Sequence, residues 1–259
     1  ACLDQIKALA AECADGPAMG IGGPYAEDGK LYNAYFILNG GRIVSKQLKH
    51  HLPNYTVFDE VRLFDSGPLG GPYALGNTRI GSPICEDAWF PDVAETLEES
   101  GAEFLVVPNG SPYYRDKFDR RMSHMVARVI ETGMPLIYVN MVGGQDDQVF
   151  DGGSFVLNPG GHLAVQLPVF DEVTAHVDLV RDGDGWRCEE GEKAVLPAGE
   201  EQDYRVCVEA LRDYMGKTGF KKVLLGLSGG IDSAIVATIA VDALGAENVR
   251  CVMLPSEYT

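Results

Sequence analysis

Residues 221–233 read KKVLLGLSGGIDS: an apolar run from Val223 to Leu227 empties into Ser228-Gly229-Gly230-Ile231-Asp232-Ser233, and a second apolar run starts at once. The first run is a strand. The second, through Ala234, Ile235, Val236, Ala237, Ile239, Ala240, Val241 and Leu244, predicts a buried helix that is apolar on most sides and stops at Gly245. Ser228, Gly229 and Gly230 fall where backbone N–H groups at a helix N-terminus face an anion, and the two glycines put no Cβ in its way. A further apolar run, Val249 to Leu254, completes a β-α-β unit around a phosphate site. A plain glycine turn would need neither Ser228 nor Asp232. No Gly-Lys-Ser/Thr follows, so the lysine that reaches the outer phosphates of a Walker loop is missing, and γ-phosphoryl transfer is not the natural reading.

SGGIDS resembles the pyrophosphate loop of the N-type ATP pyrophosphatases. Membership of that group implies cleavage of ATP between the α- and β-phosphates, adenylation of a substrate, and displacement of AMP by an amine.

The 259 residues are 46% hydrophobic and 23% charged, enough for a sizeable core in one large domain or two unequal ones. With 21 Lys+Arg against 38 Asp+Glu the net charge is −17, which repels phosphate backbones and anionic membranes and makes nucleic acid and lipid poor partners. Any ATP site must then concentrate backbone dipoles, cations or a metal ion against that field. Cys2, Cys13, Cys85, Cys188, Cys207 and Cys251 form no CxxC pair and no zinc pattern, which fits a reducing cytoplasm. The opening ACLDQIKALAAEC is an amphipathic helix pattern rather than a signal peptide, and no run is long enough to span a bilayer.

Between about 33 and 179 short apolar runs recur, at Ala34 to Leu38, Arg79 to Cys85, Phe104 to Pro108, Leu136 to Asn140, Ser154 to Leu157 and Thr174 to Val177. Helical patterns at Pro91 to Ser100 and Phe118 to Thr132 lie between some of them, which predicts an α/β domain over residues 1–180. The polar, glycine-rich stretch 181–202 reads as a linker, and a helix from about Asp203 to Thr218 leads into the phosphate strand of a second domain over 203–259. Residue 1 falls inside an apparent helix and residue 259 closes just after a strand, so the chain is expected to be a fragment lacking the start of one domain and the end of the other.

Cys85, in RIGSPICEDAW, is placed at a strand end and followed by two acids. Cysteine is often an inert core residue, but strand ends are where α/β folds expose chemistry. A thiol there can attack an amide carbon if a base takes its proton and a cation steadies the oxyanion. Lys49, in KHHLPNYTVFDE, sits where a strand pattern breaks into a Pro-containing loop and could be that cation. His50 and His51 invite a Cys-His dyad, but adjacent side chains diverge and the following Pro-Asn-Tyr turn offers them a structural use.

PICEDAW, KHHLPNYTVFDE, PNGSPYYRDKFDRR and VGGQDDQVFDGGSF resemble the nitrilase-type glutaminase domain of the glutamine-dependent NAD+ synthetases, and SGGIDS resembles their synthetase domain. The resemblance implies a nitrilase-like α-β-β-α sandwich followed by the start of a Rossmann-like ATP pyrophosphatase domain. It implies a Glu-Lys-Cys site in which Lys49 and Cys85 take the lysine and cysteine roles, with Tyr55, Ser111 and Lys117 touching glutamine. It also implies an ATP loop made of Gly226, Leu227, Ser228, Gly229, Gly230, Ile231, Asp232 and Ser233, with Asp232 as a ligand of Mg2+. Ammonia freed from glutamine would amidate adenylated deamido-NAD+, in a homo-oligomer. The glutamate and the deamido-NAD+ pocket are expected outside residues 1–259; no acid within the chain is placed to replace that glutamate, and Glu86 reads as a wall of the site. Two alternatives stay open: a free-standing nitrilase-superfamily amidase, which the phosphate loop disfavours, and a non-catalytic binding or regulatory module derived from the synthetase.

Overall fold

In the computed structural model, which describes residues 1–253, the chain opens with helix α1 (Cys2–Glu12) and an antiparallel meander of β1 (Met19–Glu27), β2 (Lys30–Asn39) and β3 (Arg42–Leu48). Two-residue turns at Asp28-Gly29 and Gly40-Gly41 join these strands, and all four residues have positive φ. That turn geometry matches the right-handed twist of the paired strands. Because β2 alternates, Ala34 and Phe36 meet Ile6 and Ala10 of α1 on one face, while Ile37 and Tyr35 point the other way.

That other face meets a second sheet. It contains β4 (Tyr73–Leu75), β5 (Thr78–Gly81) and, after helix α2 (Pro91–Glu99), β6 (Phe104–Asn109). Helix α3 (Lys117–Thr132) then precedes β7 (Leu136–Asn140), a small hairpin of β8 (Val142–Gln145) and β9 (Gln148–Asp151), and the last two strands of the sheet, β10 (Phe155–Asn158) and β11 (His162–Gln166). The order across this sheet is β11-β10-β7-β6-β5-β4, with β5, β6 and β7 parallel. Tyr73, Ile80 and Phe104 receive Ile37 between the sheets, and on the outer face Leu105, Val107, Leu136 and Leu157 pack with Val93, Leu97, Met125 and Val129 of α2 and α3. Helix, sheet, sheet, helix is the expected α-β-β-α sandwich.

The segment expected as a linker carries order. A hairpin of β12 (Leu179–Asp182) and β13 (Gly185–Cys188) lies against the sandwich, Trp186 edge-on to Phe104, and Asn158 exchanges two hydrogen bonds with Cys188. By contrast Thr174 to Val177, expected as a strand, forms none; its residues line a cavity beside β7 and β10.

Helix α4 (Glu200–Thr218) leads into β14 (Val223–Leu227), α5 (Ile231–Leu244) and β15 (Val249–Met253), with β14 and β15 parallel, as the β-α-β reading required. Leu254, the last residue of the expected second strand, lies outside the described residues. The expectation that α5 is buried is not met: Ala240 is its one buried residue, and Ile231 is 80% exposed. Among the described residues α4, a two-stranded sheet and the short turn Ala246–Asn248 are its main contacts, too little to cover an all-round apolar helix.

Candidate active site

Lys49, Cys85 and Ser111 lie beyond the ends of β3, β5 and β6, where the loops leaving the parallel strands β5 and β6 meet the loop leaving the antiparallel β3 of the first sheet. Lys49 is the first residue after β3. Its backbone N–H donates to Asn33 O at 2.9 Å, and its side chain, 2% exposed, donates from Nζ to Glu60 Oε1 at 2.7 Å. Glu60 starts a short 3-10 turn, with its own N–H on Pro53 O, and Asn33 Nδ2 reaches its second oxygen at 3.5 Å. An acid that the sequence reading did not single out therefore stands at the site, paired with Lys49. Glu60 closes the motif KHHLPNYTVFDE, and the turn from Tyr55 to Phe58 folds the motif back so that its last residue pairs with its first.

Cys85 does not end a strand. It stands four residues beyond β5, at the head of a 3-10 helix (Cys85–Trp89), with φ +50. A non-glycine residue there is strained by about 1–3 kcal/mol, held in place by its neighbours. Asp87, 2% exposed, supplies much of that hold: its carboxylate accepts the N–H groups of Ile84 (3.0 Å), His50 (3.1 Å) and His51 (2.7 Å). One buried carboxylate thereby joins the cysteine segment to the lysine segment. Burial pushes the Cys85 thiol above its ordinary range; Lys49 and Lys117 pull it down, and Glu86 and Glu60 add to the rise. His50 and His51 turn to other partners, Gly67 O and Asp92, so no Cys-His dyad forms.

Tyr55, Ser111 and Lys117 come to the same region. Tyr55, 45% exposed, donates its hydroxyl to both oxygens of buried Glu86 at 2.9 Å. Burial and that hydrogen bond to Glu86 raise the phenol well above its usual value. Lys117, buried at the start of α3, places Nζ 4.5 Å from the ring centres of both Trp89 and Tyr114. Tyr55, Trp89, Tyr114 and Lys117, though not Ser111, border a cavity of about 760 Å3 that also takes in Phe58, Arg120 and His124. Ser111 is buried and held by its neighbours: its N–H donates to Asn140 Oδ1 at 2.9 Å, and Arg121 donates to its Oγ and carbonyl. Arg121, itself fully buried, pairs with Asp151 of β9 at 2.8 Å. Sequence reasoning missed this pair, although Arg121 and Asp151 stand in two of the stretches it quoted.

The second candidate site follows α4. That helix is fixed to the sandwich by Tyr113 Oη on Asp203 (2.8 Å), Arg115 on the same carboxylate, and Gly144 N–H on Asp213 (2.7 Å). In the loop, Gly229 has φ +87 and Gly230 is the N-cap of α5. Ser228 Oγ and Ser233 Oγ meet at 3.2 Å, which closes the loop on itself, and Asp232 stands exposed in the first turn of the helix. Backbone N–H groups at the head of a 14-residue helix suit an anion, and a free carboxylate beside them suits a hard cation.

A strained cysteine beside a buried lysine–glutamate pair, on an α-β-β-α sandwich, is the framework of a thiol-dependent amide hydrolase. The chain belongs to the carbon-nitrogen hydrolase family, whose pattern it matches over residues 1–183; residues 203–259 match the NAD synthase family. It is 60% identical over 254 residues to the glutamine-dependent NAD(+) synthetase of Rhodobacter capsulatus, covering 98% of this chain and 46% of that protein. The corresponding protein of Xanthomonas campestris is 40% identical, with 99% and 47% covered. Among solved structures, the glutamine-dependent NAD+ synthetase of Acinetobacter baumannii in complex with ADP aligns with a TM-score of 0.91 and 36% identity over 99% of this chain and 49% of that one. The chain spans about half the length of the curated relatives it matches.

Proposed function

We propose that this chain contributes the glutaminase half and the ATP loop of a glutamine-hydrolysing NAD+ synthetase, an ATP-dependent carbon-nitrogen ligase. The observation that carries the reading is the buried Lys49–Glu60 pair beside Cys85, followed in the same polypeptide by SGGIDS at a helix head. Domains 1–180 and 203–259, joined by 181–202, divide the two chemistries.

The Cys85 thiolate attacks the side-chain amide carbon of glutamine, held by Tyr55, Ser111 and Lys117. The Lys49 ammonium steadies the oxyanion of the tetrahedral adduct, and Glu60 holds that lysine in position. The C–N bond breaks, ammonia leaves, and water clears the thioester to glutamate and free thiol. Glu60 is committed to Lys49 and Glu86 to Tyr55, so neither is free to take the thiol proton; the resemblance assigns that work to a glutamate outside these residues. In the second domain the carboxylate of deamido-NAD+ attacks the α-phosphorus of ATP, and the pyrophosphate released lies against the N–H groups of Gly226 to Ser233. Asp232 and phosphate oxygens would hold Mg2+, which neutralises charge on the leaving group. Ammonia then displaces AMP. The resemblance further implies a homo-oligomer in the cytoplasm, and no helix among the described residues is long and apolar enough to cross a membrane.

In the intact gene product, Cys85→Ala should abolish NAD+ formation from glutamine and leave formation from added ammonium largely intact. Equal loss with both nitrogen donors would refute the division of labour.

A further inference from the structure

We propose that His50, His51 and Asp92 form a binding site for a divalent transition-metal ion of the zinc class, at the seam between the segment carrying Lys49 and the segment carrying Cys85. Each offers one ligand atom, and these atoms all lie within 4.8 Å of one another. Ligands each about 2.0–2.2 Å from one ion stand no more than about 4.4 Å apart, so small side-chain rotations close the set.

The histidines are held ready. Asp87 fixes both of their backbone N–H groups, and their rings stand 4.7 Å apart at 88°. His50 Nδ1 lies 2.7 Å from Gly67 O, an acceptor only, so Nδ1 carries the proton and Nε2 keeps its lone pair. A carbonyl behind the imidazole is the usual outer partner of a metal-bound histidine. His51 Nε2 lies 2.8 and 3.0 Å from the two oxygens of Asp92, and the Phe90 ring covers His51 on one side. An ion entering there takes the place of the hydrogen between His51 and Asp92; in a neutral imidazole that proton moves to Nδ1, which leaves the Nε2 lone pair for the ion. Two neutral imidazoles and one carboxylate favour zinc-class ions over Mg2+ or Ca2+, and they leave a fourth position for water. The side chains of His51 and Asp92 are 24% and 43% exposed, so the ion has a way in. A hydrogen-bonded His51–Asp92 pair at the head of α2 would need no second imidazole beside it; the metal reading uses all three residues. Once bound, the ion ties residues 49–51 to α2, which follows the Cys85 turn directly.

The test is a titration of the chelator-stripped intact protein with Co2+ and Zn2+ alone, with the exposed thiols Cys2, Cys207 and Cys251 alkylated. The expected result is saturable binding of one ion per chain and a visible Co2+ spectrum of low-coordinate type. Zn2+ should also raise the melting temperature. His50→Gln, His51→Gln and Asp92→Asn should each weaken binding about tenfold or more and remove the Zn2+-dependent rise, including in any variant whose metal-free melting temperature is unchanged. Absence of saturable binding, or affinity that alkylation abolishes and the three variants leave intact, would overturn the proposal. This readout does not depend on the enzymatic reading, which can fail or stand separately.

Discussion

Glu60→Gln isolates the role of the ion pair under the site. The Lys49 side chain is 2% exposed and Glu60 19%, with Nζ and Oε1 at 2.7 Å. At that separation two unit charges attract by about 6 kcal/mol at an effective dielectric constant near 20, much of it offset by the desolvation of both groups. Removing one partner leaves the other charge buried alone, which costs about 3–5 kcal/mol. Urea unfolding followed by the fluorescence of Trp89 and Trp186 should therefore show the glutaminase transition destabilised by about that amount. Lys49→Met combined with Glu60→Gln should recover most of the stability, because no orphan charge remains, while glutamine hydrolysis stays down by about a hundredfold or more in both variants. A loss under about 1 kcal/mol in the single variant would mark the pair as an ordinary exposed salt bridge and refute the argument. Recovery of hydrolysis in the double variant would refute the assignment of Lys49 to the oxyanion.

Burial raises the Cys85 thiol, so near neutral pH iodoacetamide should label it more slowly than Cys2, Cys207 and Cys251, with the rate still climbing above the usual thiol value of about 8.5, as peptide mass spectrometry would record. The sign for stability follows: the protonated thiol contributes stability fully below that value and loses it as pH rises through the folded value, so Cys85→Ala should flatten the alkaline limb of a stability–pH curve. Asp151→Asn leaves Arg121 buried without its counter-charge and should cost about 3–5 kcal/mol in urea unfolding, with a raised KM for glutamine as Ser111 loses its support. Asp232→Ala should impair NAD+ formation from glutamine and from ammonium alike while glutamine hydrolysis survives; pyrophosphate release at the wild-type rate would contradict it.

Much of this was legible because local chemistry carried it. The β14-α5-β15 unit follows from an apolar strand, a Ser-Gly-Gly loop and an apolar run, all contiguous, and α2, α3, β6 and β7 follow from periodicity of the same local kind. The exposure of α5 was not legible, since burial depends on what packs around a helix rather than on its own residues. The hairpin of β12 and β13 read as a linker because polarity and glycine content are what its turns display. Trp186 and Cys188, its anchors, acquire meaning only against Phe104 and Asn158. The same limit hid Glu60 and the Arg121–Asp151 pair: each quoted motif showed a charged residue, and only the fold shows which charges meet.

If Cys85 and the SGGIDS loop serve one reaction, nitrogen from a glutamine amide reaches the product through ATP split between its α- and β-phosphates. The direct measurement is to supply the intact gene product with amide-15N glutamine, ATP and deamido-NAD+, and to follow the label by mass spectrometry and the nucleotides by chromatography. The expected result is 15N in the carboxamide of NAD+, with one AMP and one pyrophosphate formed per NAD+. Unlabelled product, or ADP and inorganic phosphate in place of AMP and pyrophosphate, would contradict it.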